Sequence, residues 1–561
     1  MEKIVLVAIN AKFIHANAAI YSLMAYCRPI PITPLEFTAN DNFNFILSEI
    51  HAAAPDVLGF SCYIWNMHLV EPLVRAIKKI LPQVKIILGG PEVSFDAADL
   101  LTHCPADIIV TGEGEEVLRE ILSGHALSQI KGVTYRAETG EVRANPPHRK
   151  LDLAVFPFPY NADNLPENKI IYYESARGCP FSCAFCLSHN EKPVRFVPLA
   201  RVFADMDFFL TRRVAQVKFT DRTFNCDPDR ALRIWRYIND NDNGHTNFHF
   251  EVAATLLDAA ALELLGNAPD ALFQFEIGIQ STHPQTLESI NRDIHTRQAI
   301  DNINKLASRG NIHIHLDLIA GLPGEGYERF QESFNAVYCL APDMLQLGFL
   351  KLLKGSRLRE KAGDFGILYN DAPPYEVLCT RDISYDGLKS LKAIEQAVDT
   401  LYNSGNFKQS LKYVQGFFAT PFALYEAFSR HWKSRGYHRA SQSLPSVFKI
   451  FHAFAQPHGD ANVLANLLKF DWYAAGNTKN LPWLDAPTRE DADKINSLYK
   501  ESNTSRRLPI VKFDFDPTAE PEAIPRETEP TYILFRYTGK PRPGSQKKYG
   551  EICFLPDPVI R

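Results

Sequence analysis

Long apolar runs are absent from the sequence, which nowhere reaches the roughly 18 residues that a membrane-spanning helix needs. The first ten residues also lack the basic leader and the extended apolar stretch of a secretory signal. We therefore expect no membrane span and place the protein in the cytoplasm. The net charge of -5 is small for 561 residues and argues against a nucleic-acid partner.

Cysteine is also scarce, with ten in 561 residues, and most of the ten stand alone in the sequence. This distribution excludes a disulfide-stapled secreted fold and is typical of a protein in a reducing compartment. Three cysteines, Cys179, Cys183 and Cys186, lie close together. Thiolates grouped in this way favour a metal site.

Buried apolar runs alternate with helical stretches over residues 1–140. The runs that we predict as strands are 3–10, 35–39, 57–63, 84–90 and 106–115. Each run is followed by glycine or polar residues and then by a helix. This order predicts a doubly wound parallel sheet with helices on both faces, which binds ligands at the carboxyl ends of its strands.

A second alternating region follows residues 141–166, which contain several prolines and are predicted to be a linker. The strands predicted in residues 167–372 are 169–178, 217–224, 248–254, 272–281, 312–325 and 345–353. Six such units predict a partial (β/α)6 barrel, in which the loops after the strands meet at one rim.

The remaining residues, 373–561, are predicted to form a mainly helical α+β extension. An amphipathic helix is expected from Leu388 to Leu401, and strands are expected at 531–537 and 551–555. The basic segment 539–550 between these strands is predicted to be a solvated hairpin rather than a contact for an anionic substrate.

The three cysteines have the spacing Cys-x3-Cys-x2-Cys and directly follow the first predicted barrel strand. Three thiolates can bind three irons of a [4Fe–4S] cluster and leave the fourth iron open to a small molecule. The alternative is a structural zinc site completed by His189. Such zinc sites usually have a second ligand pair far along the chain, and none is evident, so the spacing favours the cluster and leaves zinc open.

With Phe185 before its last cysteine, the motif resembles the signature of the radical S-adenosylmethionine (SAM) superfamily. The resemblance covers about residues 165–360. It implies that SAM binds the open iron and that one electron from the cluster cleaves SAM to a 5′-deoxyadenosyl radical. It also implies a partial barrel of six βα units and an external one-electron donor such as flavodoxin or ferredoxin.

Acidic and glycine residues near the ends of the later barrel strands agree with this resemblance. SAM needs carboxylates for its ammonium group and ribose hydroxyls, and glycine where the backbone approaches it closely. The residues that we expect to contact SAM are Phe185, Asp221, Glu251, Glu276, Gln280, Asp317 and Gly321. Each of these also has a structural alternative, as a helix cap, an ion-paired barrel residue or a turn.

The first 140 residues resemble the cobalamin-binding domain that precedes the radical domain in a large group of these enzymes. The expected cobalamin contacts are the strand-end residues Asn10, Ser61, Gly89, Gly90, Gly112 and Glu113. Many such domains carry Asp-x-His-x-x-Gly after the first strand, and its histidine binds cobalt. Here the loop contains His15 in a different context. A domain that keeps the fold without the cofactor therefore stays an alternative.

Together these features predict a cobalamin-dependent radical SAM methyltransferase that acts on an unactivated carbon of an unnamed substrate. Methyl transfer follows from the resemblance alone, so two other functions stay open. One is a radical SAM enzyme that catalyses a rearrangement or ring closure, with or without cobalamin. The other is a non-catalytic binding protein that holds zinc or an iron–sulfur cluster. The C-terminal extension resembles a domain of unknown function found on such enzymes.

Overall fold

The computed structural model describes residues 2–292, 295–484, 487–501, 508–519, 530–537, 542–543 and 551–555. Its N-terminal elements are β1 (Ile4–Asn10), α1 (Ala18–Tyr26), β2 (Ile32–Thr38), α2 (Phe43–Ala53), β3 (Val57–Ser61), α3 (Met67–Ile80), β4 (Lys85–Gly89), α4 (Ala97–His103), β5 (Ile108–Val110), α5 (Glu115–Leu122), β6 (Val133–Arg136) and β7 (Val142–Ala144).

These seven strands form one sheet in the order β2–β1–β3–β4–β5–β6–β7. Strands β1 to β5 are parallel, which confirms the predicted doubly wound sheet, and every residue of β1 is buried. The strand order reverses between β1 and β3, so a ligand crevice lies at the carboxyl ends of these two strands. The sequence did not predict β6 and β7, which are short antiparallel strands at one edge.

The central elements are β8 (Ile171–Tyr173), β9 (Ala176–Arg177), β10 (Arg195–Phe196), α6 (Leu199–Thr211), β11 (Gln216–Phe219), α7 (Pro228–Asp240), β12 (Asn247–Glu251), α8 (Ala259–Gly266), β13 (Phe273–Gln280), α9 (Pro284–Ser289), α10 (Thr296–Ala307), β14 (His313–Ala320), α11 (Tyr327–Tyr338) and β15 (Met344–Phe349). A six-stranded parallel sheet runs in the order β15–β14–β13–β12–β11–β8. This confirms the predicted partial barrel.

Alternation of side chains separates the two faces of the barrel sheet. In β13 the buried residues Phe273, Phe275 and Ile277 alternate with half-buried polar or glycine residues. Phe275 packs against Trp235 of α7, so the apolar face meets the helices. The polar face therefore lines the inside of the barrel.

The C-terminal elements are α12 (Arg357–Glu360), β16 (Leu368–Tyr369), β17 (Val377–Cys379), α13 (Tyr385–Val398), α14 (Lys408–Gln415), α15 (Pro421–Ser434), α16 (Leu444–Ala455), α17 (Ala461–Ala474), α18 (Arg489–Glu501), β18 (Ile510–Phe513), β19 (Thr531–Arg536) and β20 (Glu551–Leu555). This mainly helical region with a small antiparallel sheet agrees with the prediction. It packs on α11 of the barrel, where the hydroxyls of Tyr338 and Tyr425 are 3.0 Å apart.

Residues 350–379, which we call the strap, connect the barrel with the N-terminal domain. Lys354 Nζ lies 2.7 Å from Asp96 Oδ2, and the Tyr375 hydroxyl donates to Glu92. The amide of Leu358 donates to the carbonyl of Ala184, which lies between two of the clustered cysteines. The strap therefore touches both the cysteine segment and the loop after β4.

Most of the predicted basic hairpin at 539–550 lies outside the described residues. Arg542 is described, and its Nη2 lies 2.6 Å from Asp242 Oδ1. Asp242 precedes β12, so this contact is at the end of the barrel opposite the rim. Among the described helices, none combines the length and the apolar character needed to cross a membrane.

A buried ion-pair network joins the N-terminal domain to the barrel. Arg177 at the end of β9 lies 2.8 Å from Glu115, 3.4 Å from Glu113 and 2.6 Å from Glu174. Arg195 of β10 also pairs with Glu113. Because Arg177 precedes Cys179 by two residues, the network fixes the cysteine segment against the carboxyl end of β5.

We expect Arg177→Met to lower the free energy of unfolding by about 3–5 kcal/mol, because it leaves buried carboxylates without their cation. Urea titration of the full chain, followed by circular dichroism, measures the change. Arg143→Met is the matched control, since the Arg143–Glu141 pair is exposed and little change is expected. Equal losses in the two variants would contradict a structural role for the network.

Candidate functional site

The three clustered cysteines lie in a tight loop between β9 and β10 at the rim of the barrel. Cys179 and Cys183 are buried, and Cys186 is half-buried. Gly178 has φ +108°, and a Cβ there would lie 2.2 Å from the carbonyl oxygen of Glu191. Only glycine permits this closure of the loop on itself. The amide of Ala184 donates to the carbonyl of Ile290, which docks the loop onto the segment after α9.

Each cysteine sulfur has a polar neighbour. Cys179 Sγ is 3.4 Å from the hydroxyl of Thr223, and Arg292 Nη1 donates to Cys183 Sγ over 3.5 Å. The amide of Ser188 donates to Cys186 Sγ. Such donors stabilise the negative charge of thiolate ligands. Arg292 and Thr223 belong to none of the sequence motifs described above, so their contacts with the cysteines were not predicted.

The three cysteine side chains are neighbours in the structure, and Cys183 interacts electrostatically with both Cys179 and Cys186. In a cluster, each of the three thiolates would bind a different iron. His189 Nδ1 donates to the carbonyl of Cys186, and its Nε2 takes no part in that hydrogen bond. A histidine that binds a metal often donates its other ring nitrogen in this way, so these contacts do not decide between a cluster and zinc.

A largely apolar pocket lies directly beside Cys183. Its lining comes from the cysteine loop, from the ends of β12 and β13, and from α9 and α10, and includes Ala253, Ile277, Ile279 and Leu287. The polar part of the wall is supplied by the backbone of Gly278 and by the side chains of Arg292, Thr255, His295 and Thr296. An apolar slot next to the cluster ligands, with few polar groups, fits the adenosyl part of SAM.

Gln280 provides a further sign that this wall binds a ligand. A Cβ on Gly278 would lie 2.0 Å from Gln280 Nε2, so the glutamine packs over the glycine. Gln280 has φ +69°, and its Oε1 is buried without a hydrogen-bond partner among the described residues. A strained backbone and an unpaired acceptor at the same residue are typical of a binding site. The expected SAM contact at Gln280 stays a prediction, which this unpaired acceptor supports.

The inner face of the barrel carries a cluster of ionisable side chains that includes three predicted SAM contacts, Glu251, Glu276 and Asp317. Lys218 Nζ lies 2.8 Å from Glu276 Oε2, and His315 Nε2 lies 3.0 Å from Asp317 Oδ1. Burial alone would raise the pKa of Glu276, but its contacts with His249 and Lys218 lower that pKa. Burial raises the pKa of Glu251 to about 7.

One predicted SAM contact, Asp221, has a structural role instead. Both oxygens of Asp221 accept hydrogen bonds from Ser175, at 2.8 Å from its amide and 2.5 Å from its hydroxyl. Asp221 thus braces the turn that leads to Cys179. Gly321 has φ +87°, and a Cβ there would lie within 4 Å of Leu350 and Leu388. The pairing of Asp221 corrects the expectation that its side chain faces the ligand, whereas the expected contact at Gly321 stays a prediction. Phe185 is half-buried and packs against the core.

Some of the predicted cobalamin contacts also have hydrogen-bond or ion-pair partners within the protein. Asn10 and Ser61 are buried, and Asn17 donates to both of them, so they close the crevice from below. Glu113 is held by Arg195 and Arg177, which lower its pKa against the opposing effect of burial. These pairings correct the expectation that the three side chains face the cofactor.

The predicted glycines occupy the carboxyl edge of the N-terminal sheet. A Cβ on Gly90, at φ +123°, would lie 2.5 Å from the carbonyl oxygen of Cys62, so this glycine joins two edge loops. Gly89 is half-buried at the end of β4. Gly112 has φ +79°, and a Cβ there would meet no atom within 4 Å. Gly112 therefore borders open space where a ligand can approach the backbone.

Exposed apolar side chains gather at the same edge. Phe13 and Ile14 follow β1, Trp65 follows β3 and Phe95 follows β4, with exposed fractions of 68, 48, 39 and 47%. The ring of Trp65 stacks on that of Tyr63 at 4.3 Å. A broad apolar surface of this kind fits a large flat macrocycle. The strand-end residues predicted to contact cobalamin lie in or beside the same loops, but the prediction did not include these four apolar residues.

His15 has a partner in the barrel. Its Nδ1 lies 2.8 Å from the hydroxyl of Tyr172 on β8. The main chain of His15 also forms an isolated parallel bridge with Ile170. The loop after β1 therefore helps to join the two domains, in agreement with its departure from the usual cobalt-ligand motif.

Family models match three successive parts of the chain. The B12 binding domain matches residues 4–122, and the radical SAM superfamily matches residues 173–337. A protein of unknown function, DUF4080, matches residues 363–531.

Two curated proteins are similar to this chain. One is the uncharacterized methyltransferase PH0819 of Pyrococcus horikoshii, 27% identical over 57% of this chain and 72% of that protein. The other is the cobalamin-dependent radical SAM methyltransferase TokK of Streptomyces tokunonensis, 28% identical over 50% of this chain. This chain spans 45% of the length of TokK.

A solved structure shares the fold. It is that of the cobalamin-dependent SAM radical enzyme OxsB with aqua-cobalamin bound, with a TM-score of 0.58 and 15% identity over 90% of this chain and 76% of that chain. The chain is thus similar to proteins of the radical SAM superfamily, with a match to a B12 binding domain before the radical SAM match and a match to DUF4080 after it, and these matches support a [4Fe–4S] cluster, SAM and cobalamin as its cofactors.

Proposed function

We propose that the protein is a cobalamin-dependent radical SAM methyltransferase that adds a methyl group to an unactivated carbon. One observation carries the proposal: the buried Arg177 network holds the three-cysteine loop against the ligand edge of the B12-binding domain. A cluster and a cobalamin bound there would share one enclosed space. The similarity to methyltransferases such as PH0819 and TokK supports the same outcome.

When bound, the cluster supplies the electron that cleaves SAM to a 5′-deoxyadenosyl radical, and cobalamin carries the methyl group. The protein positions and encloses these groups. Cys179, Cys183 and Cys186 hold the cluster, and the pocket beside Cys183 orients the adenosyl group. Arg292 joins that pocket to the cluster, because it donates both to Cys183 and to the carbonyl of Gly278.

The strap helps to exclude water from this space. Its residues Lys354 and Tyr375 hold Glu92 in the loop after β4, and Glu92 is 2% exposed. Phe95 of the same loop packs against Gly355. A closed site protects a radical from side reactions with solvent. We infer that the strap, which spans the end of the barrel domain and the start of the C-terminal region, contributes this closure. The domain limits that we propose are 1–140, a linker at 141–166, then 167–372 and 373–561.

The chemistry also requires a one-electron donor, which we infer to be a flavodoxin or ferredoxin. We infer a cytoplasmic location, because the clustered Cys179, Cys183 and Cys186 are free thiols, as is typical of a reducing compartment. Neither inference depends on the identity of the substrate.

Anaerobic incubation of the reconstituted protein with SAM and dithionite should form 5′-deoxyadenosine and methionine. Cys183→Ala should abolish this reaction and the broad visible absorbance of the cluster, since the cluster would lose an iron ligand. Cys226→Ala is the control, because Cys226 lies near Cys179 and outside the triplet. Iron content, absorbance and chromatography give the measurements. A Cys183 variant with a full cluster would refute the ligand assignment.

Replacing Gln280 should weaken SAM binding without removing the cluster. We expect Gln280→Leu to raise the Kd for SAM about tenfold, because it removes one acceptor worth about 1–1.5 kcal/mol. Gln274→Leu on the same strand is the control, since Gln274 accepts from Gln216. Equilibrium dialysis against labelled SAM measures both. Equal affinities for SAM in the two variants would contradict a contact between SAM and Gln280.

A side chain at Gly112 should obstruct cobalamin. Gly140 makes a close control, because it has φ +84° and also faces open space, yet lies in the β6–β7 turn at the other end of the sheet. Valine at either position should cost about 1–3 kcal/mol of backbone strain. We expect only Gly112→Val to weaken binding of hydroxocobalamin, by at least about tenfold. Corrin absorbance of the protein fraction measures the affinity, and unchanged binding would place cobalamin elsewhere.

A further inference from the structure

Arg222 lies where the radical SAM barrel meets the B12-binding domain, directly after β11. Its neighbours in the chain are fixed, since Asp221 is bound by Ser175 and Thr223 contacts Cys179. Arg222 therefore projects from a rigid turn beside the cluster loop. No sequence motif singled it out.

The surroundings of Arg222 come from both domains. It interacts electrostatically with Glu251 of β12, with Cys186 and Glu191 of the cysteine loop, and with Tyr63 of the B12-binding domain. Its side chain is nevertheless exposed, whereas Asp221 and Thr223 on either side are buried. Because these groups belong to both domains, Arg222 lies at the junction between them, and its side chain is accessible there.

Among the described residues, Arg222 differs from the other cations at this junction in its hydrogen bonds and ion pairs. Arg177 and Arg195 are paired with carboxylates, and Lys218 is paired with Glu276. Arg292 donates to Cys183 and Gly278. Within the described ranges, the guanidinium group of Arg222 has no hydrogen bond and no ion pair. Five N–H donors thus remain available in the cleft.

We propose that Arg222 binds an anionic group of the substrate, a carboxylate or a phosphate, and holds the substrate between the cluster and cobalamin. This inference rests on the proposed function, because that function places the substrate in this cleft. A planar guanidinium group matches the paired oxygens of a carboxylate or phosphate and fixes their orientation. Arg222 does not line the adenosyl pocket beside Cys183, so the two sites are separate.

The charge of Arg222 is secure over the working range of pH. Partial desolvation by the surrounding protein would by itself lower its pKa, but Glu251, Cys186 and Glu191 raise the pKa above its usual value. Neither Glu251 nor Glu191 lies within ion-pair distance of Arg222 in the described structure. A substrate anion can therefore take the position that neither carboxylate occupies.

Protection from phenylglyoxal, which modifies accessible arginines, tests this proposal. The full-length protein is loaded with the cluster, cobalamin and SAM, and no reductant is added. Mass spectrometry of its peptides measures the rate at which phenylglyoxal modifies Arg222. We expect inorganic phosphate or acetate to slow modification at least about fivefold, since charged hydrogen bonds must break first. A comparison of protection by phosphate and by acetate shows whether the site prefers a phosphate or a carboxylate. Arg236, exposed on α7, is the control and should react at an unchanged rate.

Two results would overturn the proposal. One is an Arg222 rate that neither anion changes relative to Arg236. The other is equal protection by cobalamin or SAM alone, which would make Arg222 a cofactor contact. In calorimetry, saturable binding of phosphate should disappear in Arg222→Gln and persist in Arg236→Gln. Protein that holds only the cluster can be tested in the same way, so a failure to bind cobalamin stays distinguishable from a failure of the anion site.

Discussion

The buried Arg177 network is the interaction on which the arrangement of the site depends. Arg177 meets two carboxylates of the B12-binding domain and one of the barrel, two residues before the first cluster ligand. Fully paired buried charges impose a defined geometry, because any displacement leaves a charge without compensation. The network thus couples the position of the cluster loop to the edge where cobalamin approaches.

Local patterns in the sequence predicted the architecture well. Alternating apolar runs and helices defined both parallel sheets, and the spacing of three cysteines predicted a metal centre. These features depend on short-range periodicity and spacing, which a sequence displays directly. The short strands β6 and β7 were missed because their pairing is antiparallel and their apolar content is low.

Individual site residues were harder to predict, because their partners are distant in sequence. Asp221 was expected to face SAM, but Ser175, 46 residues earlier, takes both of its oxygens. Glu113 was expected to face cobalamin, but it pairs with Arg195, 82 residues later. A carboxylate at a strand end has the same sequence pattern in either role. Only the tertiary partner decides which role it takes.

The strap has a consequence for the order in which the chain is made. Lys354 and Tyr375 secure Glu92 across 262 and 283 residues. During synthesis from the N terminus, the cobalamin edge is therefore complete long before the segment that covers it. A large cofactor can reach that edge from the side before the strap has been made, and the strap, once it has emerged from the ribosome, then closes this route of entry.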